Sequence, residues 1–362
     1  MPPPLEPSPL RRLGILRLSA IGDVIHALPL AMGLRRAFPE ARITWVTQEH
    51  AALLLRGHPA VDEVLVFPRR GGPRAWWRFL KELRARRLDA VVDPQGNAKS
   101  GAIGLLSGAP VRAGLALRDC KEWVNALFTN RRGPRARGPH GIERAWAAGA
   151  RLGVGAGPDA WGLAATAEER QAWRARAASA GCDPERPILA LALIPPRDVR
   201  AWPLDLLGET AAAALGEGWQ VILNGPRARA ADAAALLRRA PGACDLTGRD
   251  DLRGLLAQFL EIAERPGNVL LAPDSGPLHL ACAAGLAVVC LSGPQDPRRT
   301  GPRRGEALTA WEGLTCAPCR ERSCRVDRDD PPCMRAIAVA RVLASLRTAA
   351  GRPCRADRTG AR

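Results

Sequence analysis

Apolar residues recur along the chain in short runs of four to six, separated by longer stretches with helical spacing. Residues 14–18 read as a strand, 24–38 as an amphipathic helix, 42–46 as a strand, 50–56 as a short helix and 63–67 as a strand. In 74–86, Trp76, Trp77, Phe79, Leu80 and Leu83 fall at helical spacing, and 90–93 is the next strand. A Gly/Ala/Pro-rich stretch, 153–187, interrupts the pattern. A second series then begins, with strands at 188–193, 220–223, 268–272 and 287–291 and helices at 204–215, 229–239, 252–263 and 277–284. Strand and helix in alternation predict a parallel sheet covered by helices. Two such series predict an α/β chain of two Rossmann-like domains facing a cleft.

The 362 residues suit two domains better than one. With 47% hydrophobic and 25% charged residues the chain has the balance of a globular protein rather than a disordered one. No apolar run approaches the ~18 residues of a membrane span, and the start, "MPPPLEPSPLRR", lacks the apolar core of a signal peptide. A cytoplasmic protein is expected.

The net charge of +17 is almost entirely arginine, since Lys81, Lys99 and Lys121 are the lysines. A nucleic acid, an anionic membrane surface or acidic substrate, and a plain compositional bias toward Arg all fit that charge. Absent Tyr and only 5 Phe leave few stacking platforms for single strands or RNA, so no nucleic-acid partner is expected.

Candidate chemistry gathers where strands end. In "SAIGD", Gly22 permits a tight turn and Asp23 stands at the start of a helix, where open α/β sheets bind ligands. An Asp there is equally a helix cap, and spacing alone leaves both readings open. In "NVLLAPDSGPLHLACAAG", a buried strand ends at Asp274, Ser275 can cap, Gly276 admits a ligand to the backbone, and Pro277 suits the first helical position. Free N–H groups and the positive dipole end then make an anion site, with His279 as a further donor, or simply a well-capped helix. "LALIPPRDVRAWPLDLL" places Arg197 and Arg200 in a loop, and Arg holds phosphate oxygens with a planar fork. "VVDPQGNAKSG" adds Asp93, Gln95 and Lys99 at another strand end.

Of the 10 cysteines, Cys316, Cys319, Cys324 and Cys333 cluster as C-x2-C-x4-C-x8-C. Four close thiols can supply a structural zinc site or hold an iron–sulfur cluster. Two disulfides, disfavoured in a reducing compartment, and a loop of free thiols are the rivals.

Together these segments resemble glycosyltransferase family 9, the bacterial lipopolysaccharide heptosyltransferases, and most of all its heptosyltransferase I branch. The family's S-x-x-G-D turn appears as "RLSAIGDVIHALPL", and its D-[ST]-G-x-x-H-x-A-A pattern as "DSGPLHLACAAG", with "LSGPQDPRRTGP" after it. "DPQGNAKSG" and "RDVRAWP" match two further loops, and "RAGLALRDCKEWVNALFTN" with "HGIERA" matches the acceptor-side segment. The lysine expected before Trp202-Pro203 is Arg200 here.

The resemblance implies the GT-B fold: a lead-in at 1–11, an acceptor domain at 12–160, an interdomain region at 161–187, a donor domain at 188–315, the cysteine-rich loop at 316–333, and a helix at 334–352 crossing back to the first domain. It implies inverting transfer of heptose from ADP-heptose to a Kdo-lipid A acceptor at the anionic inner-membrane surface, with no cofactor needed for catalysis. Asp23 becomes the general base. Arg200, Asp274, Ser275, Gly276, Pro277 and His279 become donor-side residues, and Gly22, Asp93, Gln95, Lys99, Arg112 and Glu122 acceptor-side ones. Another sugar nucleotide or acceptor, or a non-catalytic nucleotide-binding protein, is the alternative.

Overall fold

The computed structural model describes residues 10–195 and 197–351, which divide into two compact units, 1–163 and 164–362. The 1–9 part of the lead-in and the tail from residue 352 lie outside the described residues. In the first unit the elements run β1 (Arg12–Leu16), α1 (Ile21–Ala37), β2 (Arg42–Thr47), α2 (Glu49–Leu55), β3 (Glu63–Val66) and α3 (Pro73–Ala85). They continue with β4 (Ala90–Asp93), α4 (Ala98–Leu106), β5 (Val111–Gly114), α5 (Asn125–Phe128), β6 (Arg131–Arg132) and α6 (Gly141–Gly149).

The second unit runs α7 (Ala167–Ser179), β7 (Ile188–Ala192), α8 (Leu204–Gly216), β8 (Gln220–Asn224), α9 (Ala230–Arg239), β9 (Cys244–Asp245) and α10 (Leu252–Ala263). β10 (Val269–Pro273), α11 (Gly276–Ala283), β11 (Ala287–Leu291), α12 (Pro297–Thr300), β12 (Glu306–Leu308), α13 (Pro332–Arg335) and α14 (Val339–Ala350) complete it.

Each unit holds a six-stranded sheet whose paired strands are all parallel, ordered β3-β2-β1-β4-β5-β6 in the first and β12-β11-β10-β7-β8-β9 in the second. This is the Rossmann order twice over, so each sheet has a switch point where chain direction across it reverses: between β1 and β4, and between β7 and β10. The strands beside the second switch point, "ILALA" and "VLLAP", are buried at every residue, as a sheet covered on both faces requires.

Helix α1 differs from its sequence reading. It begins at Ile21, and ten of its residues from Val24 to Leu34 are buried, so it is a core helix rather than an amphipathic one. Helix α6 packs against it. The approach is close enough that a Cβ on Gly141 would stand 2.5 Å from His26 Nδ1, which requires glycine there.

The stretch read as interdomain carries α7, opened by Thr166 and Glu169 in a reciprocal capping box and packed on α10. It escapes the periodicity argument because it buries only Trp173 and Ala177. Helix α14 was expected to cross back to the first domain. Its described face, Val339, Val342, Leu346 and Ala349, joins the second unit's core, and it packs on α8, β10, β11 and β12. No helix among the described residues is long and apolar enough to cross a membrane.

Candidate active site

The first switch point brings together the turn after β1 and the turn after β4. Leu18 N donates to Gln95 Oε1 at 2.6 Å, joining the two turns through one buried amide side chain. Asp23 is the third residue of α1, not its cap. Its Oδ2 accepts from Ala20 N at 3.2 Å, and its Oδ1 pairs with Arg17 NH2 at 2.7 Å. Arg17 in turn donates through NH1 to Pro94 O at 2.8 Å. The Asp23 side chain is 44% exposed, so a carboxylate fixed on one side by arginine keeps the other side open to a substrate.

The remaining acceptor-side candidates divide. Asp93 is buried and fully engaged: Oδ1 accepts from Gln95 N and Gly96 N, and Oδ2 from Ser100 Oγ and Asn125 Nδ2, both at 2.7 Å. Burial pushes its carboxyl up against the pull of those hydrogen bonds. Through these bonds it organises the loop. Glu122 is also spent on structure, accepting from Ala98 N at the head of α4. Lys99 is exposed, with Nζ 5.8 Å from the centre of the Phe67 ring. Arg112 is not brought to this edge: it lies second in β5 and clamps backbone, donating to Phe128 O and Ala109 O.

The second switch point is built the same way from the turns after β7 and β10. Asp274 follows β10 directly and is buried, its Oδ1 3.1 Å from His279 Nε2 and its Oδ2 accepting from Thr300 Oγ1. Burial alone would raise this carboxyl. The His279 and Thr300 hydrogen bonds and the nearby Arg200 charge outweigh it and hold Asp274 below the ordinary carboxylate range. His279 turns this nitrogen inward to the aspartate.

Arg200 is likewise committed. Its Nε and NH2 fork the Asp198 carboxylate at 2.8 and 2.6 Å, and NH1 donates to Asp274 O at 2.6 Å. The fork expected to hold phosphate therefore braces the turn. Pro277 lies in the first turn of α11, and Ser275 is the cap, yet its side chain makes no capping bond. Its buried hydroxyl has no hydrogen-bond partner among the described residues. A hydroxyl left over beside the N–H groups of a helix start is what an anion site offers.

Several participants escaped the sequence reading. Arg17, Asp198 and Thr300 hold the two aspartate turns, and each lies within a quoted motif whose residue types alone did not set it apart. His26, one turn along α1 from Asp23, stacks against His140 with ring centres 4.9 Å apart. The "GDVIH" and "PHG" segments contain the pair, but only the α1–α6 packing brings it together.

The four clustered cysteines divide between a loop and a helix. Among the described residues no three His, Cys, Asp or Glu side chains are grouped to hold a metal ion. Cys316 is exposed on an irregular loop, whereas Cys333 is buried on α13, and all four are free thiols. Burial, with the neighbouring Cys319, Cys324 and Cys316 adding to it, pushes the Cys333 thiol up to about 11.

Comparisons with known proteins identify the family and the fold. The family model described as "Glycosyltransferase family 9 (heptosyltransferase)" matches residues 76–328. Lipopolysaccharide heptosyltransferase 1 of Pseudomonas aeruginosa is 29% identical over 322 residues, covering 86% of this chain and 87% of that one. The core heptosyltransferase OpsX of Haemophilus influenzae is 25% identical, covering 83% and 84%. Among solved structures, a family 9 glycosyltransferase from Veillonella parvula aligns with a TM-score of 0.78 at 19% identity, covering 94% of this chain and 98% of that one. The E. coli ADP-heptose heptosyltransferase II aligns at 0.72 and 20%, with the same coverage. At those identities the structures speak for the fold, and that fold is GT-B. With two Rossmann-ordered units, an open carboxylate at one switch point, a helix start with a spare buried hydroxyl at the other and a family model spanning most of the sequence, the chain belongs to glycosyltransferase family 9, the heptosyltransferases.

Proposed function

We propose that this glycosyltransferase moves heptose from ADP-heptose to the Kdo-lipid A inner core of lipopolysaccharide, with inversion at the anomeric carbon, working in the cytoplasm at the inner-membrane surface. The observation that carries the proposal is Asp23: a half-exposed carboxylate at a switch point, anchored by Arg17 and open on its other side. Relatives named as lipopolysaccharide heptosyltransferases, and an E. coli homologue solved with an ADP-heptose analogue, support the choice of donor and acceptor.

An acceptor hydroxyl is a weak nucleophile. Asp23 takes its proton as the oxygen attacks the anomeric carbon, and the bond from that carbon to the diphosphate oxygen breaks with its electron pair leaving on ADP. The negative charge growing on the leaving group is met by donors already in place, the first-turn N–H groups of α11 and the Ser275 hydroxyl. Asp274, His279 and Arg200 keep that helix start in position and need not touch the donor.

The test is incubation of the protein with ADP-heptose and Kdo-lipid A, following ADP release and product mass. One added heptose is expected. ADP-heptose binding without transfer would move the search to other acceptors, and no binding would overturn the donor assignment.

A further inference from the structure

Helix α3 carries more apolar surface than its fold uses. Its inner side is complete: Phe79 and Leu83 are buried, and Phe67 meets Trp76 and Phe79 edge to face with ring centres 5.1 and 5.5 Å apart. Trp77 takes no part in that packing and is 66% exposed. With Arg74, Arg78 and Lys81, also exposed, it forms one outward face at i, i+3, i+4 and i+7 spacing, and Lys81 Nζ lies 5.4 Å from the Trp77 ring centre. From Pro68 to Lys81 the chain has five basic residues and no acidic one. None of the five is ion-paired among the described residues.

The position of this face matters as much as its chemistry. Because the sheet is parallel, the loop 67–72 leaves β3 at the same edge from which Asp23 follows β1. Phe67 joins the two regions, stacking on α3 from one side while Lys99 of the α4 start stands over it. Leu117 and Trp123, 51% and 65% exposed, leave β5 at this edge too, where Glu122 N donates to Gly96 O.

We propose that the outward face of α3, with Trp77 at its centre and Arg69, Arg70, Arg74, Arg78 and Lys81 around it, docks this protein on an anionic phospholipid bilayer. The proposal deepens the lipid-linked acceptor reading and rests on it for its purpose. The occupant follows from charge complementarity and from the tryptophan: basic side chains gain roughly 1 kcal/mol each near an anionic leaflet, and Trp settles at the headgroup level with its ring in the acyl boundary. A bilayer held there would present a lipid anchored in it at the edge that carries Asp23.

The experiment is flotation of the purified full chain with vesicles of phosphatidylethanolamine and phosphatidylglycerol, against vesicles of phosphatidylcholine. Wild type is expected on the anionic vesicles and at least about tenfold less on the neutral ones. The triple variant Arg74→Glu/Arg78→Glu/Lys81→Glu should lose on the order of 10²-fold in anionic-vesicle binding, and Trp77→Ala several-fold. A control of equal charge change on the second unit, Arg227→Glu/Arg238→Glu/Arg249→Glu, should bind nearly as wild type. Equal binding to both vesicles, equal loss in the control triple, or an α3 face that holds duplex DNA but no vesicle would each overturn the proposal.

Transfer is read separately. If the α3 triple variant keeps transfer to a deacylated acceptor and loses it on acceptor embedded in vesicles, docking and function are linked. If wild type docks but transfers nothing, the acceptor reading fails while the docking face stands.

Discussion

Each unit places an aspartate after a strand beside its switch point, and the two are held in opposite ways. Asp274 is sealed under α11, both oxygens engaged by His279 and Thr300 and its backbone carbonyl held by Arg200. Asp23 lies half open, with one arginine beside it and one backbone N–H behind it. Similar turns on similar sheets thus give one carboxylate that fixes a helix and one that can meet a substrate. The difference is made by the loops: the β4 turn lends Asp23 a backbone anchor for Arg17, while the β7 and β11 loops close over Asp274.

The sharpest way to break the comparison is to remove each carboxylate. Asp23→Ala should lower turnover by about 10²- to 10⁴-fold, the usual worth of a general base, with folding and donor affinity kept. Asp274→Ala should instead cost stability, on the order of 1–3 kcal/mol for a buried hydrogen-bonded group, and weaken ADP binding with it, as denaturation and calorimetry would show. Equal phenotypes would erase the distinction. Arg200→Ala, which leaves the partly exposed Asp198 without its fork, should loosen the donor turn and reduce ADP affinity by roughly tenfold. Unchanged affinity would remove Arg200 from the donor side.

Acid separates the units more gently. Asp274 has its folded-state carboxyl depressed below the ordinary 3.8, so its contribution is complete above that value and is lost as pH falls through the lower folded one. In the first unit, burial pushes His58 below 6.5 although its Nε2 lies 2.7 Å from Trp161 O. The neutral ring is favoured by folding, so its contribution is complete above 6.5 and is lost as pH falls through its folded value. Hydrogen exchange near Trp161 should rise under mild acid while α11 stays protected. His58→Gln should flatten that response, and the wild-type response persisting in it would sink the assignment.

Much of this comparison could be read from the chain. Long buried strands such as 287–291 and both aspartate turns announce themselves through apolar runs ending in Gly and Asp. Partners did not, because Arg17, Asp198 and Thr300 are common residue types whose roles depend on which loop folds onto which. Arg200 shows the limit most clearly: its position was legible, but its fork was already occupied by a neighbour two residues away. Short strands such as β6 and β9 carry two residues each, too few for any period to register.

The most direct measurement is single-turnover transfer and ADP-heptose affinity, taken in parallel on wild type and Asp23→Ala. A large loss of transfer at unchanged donor affinity is predicted. Transfer near the wild-type rate would contradict the account and return Asp23 to the role of a helix-start carboxylate.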